Sequence, residues 1–140
     1  MDIAIVGLGR MGGNMVRRLL LDGHRVVANN RSAGPIDELA GEGAVPAYTP
    51  EEVIAQLPAP RVIWLMVPAG KPVDEQIDTF LPLMSPGDVL IDGGNSRYSD
   101  TIARAERVEA QNVSYMDAGT SGGVWGLQVG YCLMVGGKQE

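Results

Sequence analysis

Six residues near the start of the chain, Gly7-Leu8-Gly9-Arg10-Met11-Gly12, have the types and spacing to hold a pyrophosphate. The apolar run Ile3-Ala4-Ile5-Val6 precedes them, and Met11, Met15 and Leu19 follow at helical spacing. The chemistry needs that order of strand, glycine turn and helix. Gly7 permits a tight turn out of the strand, Gly9 lets the backbone approach a phosphate, and Gly12 lets the helix pack closely on the strand. Free N–H groups and the positive end of the helix dipole then hold the anion. All six residues are expected cofactor contacts.

The loop Asn30-Arg31-Ser32 bears on which dinucleotide is taken. An NAD site usually places Asp or Glu about 20 residues past the glycine motif, to hold the ribose 2′-hydroxyl. Asn30 occupies that position and removes the repulsion toward a 2′-phosphate. Arg31 supplies a fixed charge and a donor fork suited to phosphate, and Ser32 a further hydrogen bond. A solvated turn is the plain alternative. The balance favours NADP over NAD.

Other polar, glycine-rich stretches follow apolar runs. They are Pro68-Ala69-Gly70-Lys71, Gly93-Gly94-Asn95-Ser96 and Asp117-Ala118-Gly119-Thr120-Ser121-Gly122-Gly123. Asn95 could orient a nicotinamide or a substrate hydroxyl, the two glycines before it allowing close ligand approach; it could also cap the next helix. Ser121-Gly122-Gly123 could form an anion-binding backbone nest or a plain loop. Asp92 and Asp117 suit turns or caps, His24 a strand start, and Cys132 and Trp64 the core; Trp125 is less easily explained by packing. No Cys/His cluster suggests a metal site. Alcohol oxidation needs a base, and neither Lys71 nor Lys138 is convincingly placed as one.

These loops need a scaffold. The 140 residues suit one domain, with 45% hydrophobic content for a core. A net charge of −6 argues against a nucleic-acid binder, and no apolar run approaches the ~20 residues of a membrane span. The N-terminus lacks a signal-peptide layout. A single cysteine excludes an internal disulfide and suggests a reducing, cytoplasmic setting. Strands are expected at about 2–6, 25–29, 44–47, 61–67, 89–92, 113–116 and 131–135. Helices are expected at about 10–22, 35–40, 50–57, 72–84 (ended or kinked by Pro82) and 100–111 (capped by Ser99 or Asp100). Thr49-Pro50-Glu51-Glu52 reads as a capping box, and 117–130 shows no helical period. This alternation predicts an α/β fold, an open, mostly parallel, doubly wound sheet of Rossmann type. The last strand, lacking a crossover helix, is expected antiparallel at the edge. The chain stops directly after a strand, as a domain cut from something longer would.

Taken together, Gly7-Leu8-Gly9-Arg10-Met11-Gly12-Gly13-Asn14-Met15, Asn30-Arg31-Ser32, Leu65-Met66-Val67-Pro68-Ala69-Gly70, Asp92-Gly93-Gly94-Asn95-Ser96 and Asp117–Gly123 resemble the N-terminal NADP-binding domain of decarboxylating 6-phosphogluconate dehydrogenases. The resemblance covers essentially the whole chain. Val124-Trp125-Gly126-Leu127 and Tyr131-Cys132-Leu133-Met134 look closest to the shorter-chain branch. It implies oxidation of 6-phosphogluconate, a phosphorylated sugar acid, then loss of CO₂ to give ribulose 5-phosphate, in the pentose phosphate pathway. It implies that the glycine loop with Asn30, Arg31, Ser32, Val67, Pro68 and Ala69 binds NADP. Asn95 would contact cofactor and substrate; Ser121, Gly122 and Gly123 would contact substrate, with Asn95 and Ser121 supporting catalysis. The family's general-base lysine lies in a helical domain that would follow residue 140. This chain alone is therefore expected to bind cofactor without turnover. Homo-oligomers are expected only of the full-length protein, and the isolated chain should be a monomer with some tendency to self-associate. Two rivals are a 3-hydroxyisobutyrate-type dehydrogenase, which usually carries Asp-x-Ser-Thr/Ser at the Asp92–Ser96 position, and a non-catalytic NADP-binding module.

Overall fold

The structure is a computed structural model that describes residues 1–121 and 125–138. Strands are β1 (Asp2–Val6), β2 (Arg25–Asn29), β3 (Val45–Pro46), β4 (Val62–Leu65), β5 (Val89–Asp92), β6 (Ser114–Ser121) and β7 (Cys132–Gly136). Helices are α1 (Arg10–Leu21), α2 (Ala33–Gly41), α3 (Pro50–Gln56), α4 (Lys71–Phe80), α5 (Tyr98–Glu109) and α6 (Gly126–Val129). They build one sheet in the order β3-β2-β1-β4-β5-β6-β7. The first six strands run parallel, and β7 pairs antiparallel with β6 at the edge. The expected doubly wound architecture and the reversed last strand are both present. The strand order reverses between β1 and β4, which opens a crevice at the carboxyl ends of the strands.

Side chains of parallel strands alternate between two buried faces. In β1, Ala4 and Val6 face α3, α4 and α5, where they meet Val53, Leu57, Val73, Ile77 and Phe80. Ile3 and Ile5 face α1 and α2, where they meet Met15, Val16, Ile36 and Leu39. Phe80 and Ile5 are among the largest fully buried side chains, and each such burial stabilises by about 1.5–3 kcal/mol.

Several boundaries differ from the sequence reading for identifiable reasons. Helix α4 stops at Phe80 and passes into a 3-10 turn, Leu81–Leu83, because Pro82 has no N–H to continue the ladder. Helix α5 starts at Tyr98, not at Asp100, and its N-cap is Arg97 without a side-chain cap bond, so neither Ser99 nor Asp100 caps it. Asp100 sits in the first turn, where the helix dipole favours a carboxylate. Thr49 Oγ1 does accept from the Glu52 N–H at 3.2 Å, but Glu52 reaches back to the Tyr48 N–H instead of that of Thr49. The stretch after 116 is not all loop. Strand β6 runs on to Ser121 because Asp117–Ser121 finds a second partner in β7, and α6 follows it. Cys132 is exposed, not core: it lies in the edge strand β7, whose residues are all exposed. Trp64 is buried as expected, and Trp125 is exposed.

Candidate cofactor site

The glycine loop leaves β1 with Gly7 at φ +99, a left-handed conformation that side chains rarely adopt. The Gly7 N–H donates to the Asn29 carbonyl at 2.9 Å, and the Met66 N–H to the Val6 carbonyl at 2.7 Å. The loop is thereby pinned between β2 and β4. A Cβ on Gly12 would stand 2.0 Å from the Gly7 carbonyl oxygen, so α1 lies against the strand end only because that residue is glycine. A Cβ on Gly9 would meet nothing within 4 Å: the space above it is open. The first helical bond of α1 runs from Gly13 N–H to Gly9 C=O at 2.8 Å. The N–H groups ahead of it have no intrahelical acceptor, and they form the positive end of the helix dipole.

Asn30 organises this loop from β2. Its Oδ1 accepts the Leu8 N–H at 2.9 Å, and its Nδ2 donates to Ser32 Oγ at 3.1 Å and to the Ser32 carbonyl at 3.3 Å. The residue's amide is thus spent on joining two ligand loops. Arg31, held between Asn30 and Ser32, extends freely with its side chain 88% exposed. Its Nη2 stands 3.9 Å from Glu75 Oε2 on α4.

Between the glycine loop, the end of β2 and α4 lies an open cleft of about 530 Å³. It is lined by Val6, Gly7, Leu8, Gly9, Asn29, Asn30, Arg31, Tyr48, Pro50, Met66, Val67, Pro68, Pro72, Gln76 and Thr79. A long, flat ligand with an anionic middle and an anionic end fits this arrangement: N–H groups lie at the glycine loop and a guanidinium at the rim. The open space over Gly9 gives such a ligand room.

Beyond the cleft, the loop after β5 is held by a buried carboxylate. Asp92, with its side chain fully buried, accepts the Gly94 N–H on Oδ1 at 2.8 Å, and on Oδ2 the Ser96 hydroxyl and the Tyr115 hydroxyl, the latter at 3.2 Å. Burial, and then the Asp92 charge, push the Tyr115 phenol well above its usual range, so it stays a donor. Asn95 takes a left-handed conformation, φ 56, and its Oδ1 accepts the Thr120 N–H at 3.1 Å. It braces the β5 loop against β6 and does not cap α5. Gly93 and Gly94 pack against protein. A Cβ on Gly93 would lie 2.3 Å from Trp64 Nε1, and one on Gly94 2.6 Å from the Val67 carbonyl. Their smallness therefore serves packing on β4 and the loop after it, in place of the expected ligand approach.

Arg104 of α5 completes this region with a side chain only 6% exposed. Its Nε donates to Asp74 Oδ1 at 2.8 Å, and its Nη2 to Asp74 Oδ2 at 3.2 Å and to the Gly70 carbonyl at 3.1 Å. The hydrogen bond from Arg104 holds the Asp74 carboxyl below its usual range.

A family model of the NAD binding domain of 6-phosphogluconate dehydrogenase matches residues 2–140. The chain belongs to that family. Among curated relatives, an NAD(+)-dependent decarboxylating 6-phosphogluconate dehydrogenase of Haloferax volcanii is 44% identical over 99% of this chain and 46% of its own length. A decarboxylating 6-phosphogluconate dehydrogenase of Haemophilus ducreyi is 42% identical over 99% of this chain and 30% of its own. The chain thus spans less than half of either relative. The structure of Plasmodium falciparum 6-phosphogluconate dehydrogenase, studied with NADP+ and with 6-phosphogluconate, superposes with a TM-score of 0.92 at 32% identity, over 99% of this chain and 31% of that one. Mycobacterium tuberculosis 3-hydroxyisobutyrate dehydrogenase superposes with a TM-score of 0.85 at 28% identity, over 99% of this chain and 47% of that one.

In this NAD binding domain, Gly7, Leu8, Gly9, Asn30, Arg31, Val67 and Pro68 meet in one cleft. Arg10 faces a smaller hollow on the other side of the glycine loop, Ser32 is turned toward Asn30, and Met11, Gly12 and Ala69 stand outside the cleft lining. Asn95 and Ser121 lie farther along the same sheet edge, outside that cleft, and Asn95 is joined to the residue before Ser121. Gly122 and Gly123 lie outside the described residues. Lys71 is exposed beside Glu75 at 3.8 Å, not poised as a base. Among the described residues, no cluster of His, Cys, Asp and Glu could hold a metal, and no helix is long and apolar enough to cross a membrane. The sequence reading missed Tyr48, Gln76 and Thr79. Tyr48 follows β3, so the rule that ligands sit beyond strand ends would have found it. Gln76 and Thr79 are three apart, the polar side of a helix whose apolar residues drew attention instead. Arg104 carried no signal, since nothing in the chain separates it from Arg107.

Proposed function

We propose that this chain is the NADP-binding domain of an enzyme that oxidises and decarboxylates 6-phosphogluconate to ribulose 5-phosphate. One observation supports the cofactor reading above others: the Leu8–Asn30 hydrogen bond, which sets Arg31 at the rim of a cleft whose floor is the glycine loop. The pyrophosphate would lie on the free N–H groups from Gly9 to Gly12, with Val67 and Pro68 walling the cleft and Arg31 and Ser32 taking the 2′-phosphate. Asn30 would act by holding these loops. Asn95, with Ser121, Gly122 and Gly123, would face the nicotinamide and the sugar acid. When bound, the nicotinamide supplies the hydride acceptor. The chain's own residues would bind and orient it, and among the described residues Lys71 is not poised as a base, so the chain alone should bind without turnover. The Gly94-Asn95 pair favours the 6-phosphogluconate reading over a 3-hydroxyisobutyrate-type one. A cytoplasmic setting rests on the single cysteine.

Preference for NAD is the second reading, and it has an observation of its own. Glu75 faces Arg31 at 3.9 Å, and its carboxylate would repel a 2′-phosphate there. The substitution Arg31→Ala separates the two. It should weaken NADP about ten-fold or more, as loss of a charge-assisted phosphate contact does, and leave NAD within about two-fold. Equal losses, measured by calorimetry, would mean that Arg31 does not read the 2′-phosphate.

A further inference from the structure

A charged side chain that is nine-tenths buried persists only where its partners compensate for lost hydration. Arg104 is such a side chain, and its partners come from two separate places, the start of α4 and the end of β5. Its Nε and Nη2 grip Asp74 and the Gly70 carbonyl. Gly70 is the N-cap of α4 and ends the loop that walls the cofactor cleft. The remaining nitrogen, Nη1, has no hydrogen-bond partner and stands 3.8 Å from Asp92 Oδ2. Asp92 in turn holds Gly94 and Ser96, the two neighbours of Asn95. A packing role alone would be served by Leu or Met. A planar fork with five donors can bond a carboxylate and a carbonyl while its free end stands within ion-pair range of a second carboxylate.

We propose that Arg104 is a positioning residue: its guanidinium ties the loop after β4 to the loop after β5 and so fixes where Asn95 stands. The two loops carry different halves of the site, Val67 and Pro68 on one and Asn95 on the other. Joined through Arg104, they behave as one body, and a disturbance at Asp74 reaches Asn95. What Asn95 then touches rests on the reading above; the mechanical link does not.

Hydrogen exchange on the ligand-free chain tests it, so a failure of the cofactor reading cannot be mistaken for a failure of the link. Asp74 is half-exposed, and Asp74→Asn keeps its shape while removing the charge that anchors Arg104. The amides of Gly94 and Thr120, which are held by Asp92 and Asn95 and lie far from Asp74 in sequence, should exchange about ten-fold faster. Amides of β1 and β2 should not change. Arg104→Met should produce a larger acceleration at the same two amides, and Arg104→Lys, which keeps the charge, should recover part of it. Acceleration confined to residues 70–78 in Asp74→Asn would overturn the proposal. So would a Lys variant as fast as the Met variant, or a uniform rise across the sheet, which would mark Arg104 as a general support of the fold.

Discussion

Two glycines of one motif are alike in sequence and opposite in consequence. Gly12→Ala forces a Cβ to within 2.0 Å of the Gly7 carbonyl, an overpacking that costs about 1–3 kcal/mol. Urea denaturation should show that loss. Gly9→Ala places its Cβ in open space and should leave stability within about 0.5 kcal/mol, since sites away from packing usually change little. Its methyl group would stand where the pyrophosphate is proposed to lie, so NADP affinity should fall while the urea midpoint does not move. Loss of stability in Gly9→Ala, or an unchanged affinity, would count against this division. The motif's spacing announced both glycines, because the turn and the helix contact are local. The packing of Gly93 and Gly94 is not visible in the sequence because most of the atoms they pack against lie in β4 and the loop after it, earlier in the chain by nearly thirty residues. Arg104 was invisible for the same reason: its burial depends on α4, α5 and β5 meeting.

At the scale of elements, helix starts and edges carry the testable weight. Thr49 caps α3 through the Glu52 N–H, and Thr49→Ala should cost about 1 kcal/mol by urea denaturation. Helix α4 bears Asp74, whose carboxyl is held below its usual range by the hydrogen bond from Arg104. A carboxyl depressed by folding contributes stability above its unfolded pKa and loses it as pH falls through the folded one. Unfolding free energy should therefore drop below about pH 4, and the drop should be shallower in Asp74→Asn. Identical acid profiles would show that the Arg104 pairing persists in the unfolded chain or contributes nothing. Apolar runs placed β1, β2 and β5 correctly and Pro82 ended α4, while β4 is shorter than the expected 61–67 because Met66 and Val67 already turn into the loop beside the glycine motif. The second half of β6 escaped detection because Asp117–Ser121 is small and polar, and its strand state depends on pairing with β7. Cys132 was assigned to the core from its apolar neighbours, and such a run cannot distinguish an edge strand from a central one.

The whole molecule is a sheet whose ligand loops gather at one edge, and that much followed from alternating strands and helices and from the missing last crossover. The far flank is different. Trp125, Val129, Leu133, Met134 and Val135 are each exposed, in α6, in β7 and just before α6. An apolar surface of this kind favours association, and the isolated chain should be a monomer that self-associates weakly as concentration rises. Light scattering showing one sharp tetramer at low concentration would contradict this. A dinucleotide-binding domain is legible in the glycine loop; the Glu75 that opposes Arg31 is not, because α4 comes to face that loop only in the folded sheet. Calorimetric titration of the chain with NADP and, separately, with NAD tests the central claim most directly. The account predicts saturable binding of one dinucleotide per chain, tighter for NADP. Tighter binding of NAD would contradict the role given to Arg31, and no binding of either would contradict the cleft as a cofactor site in this chain.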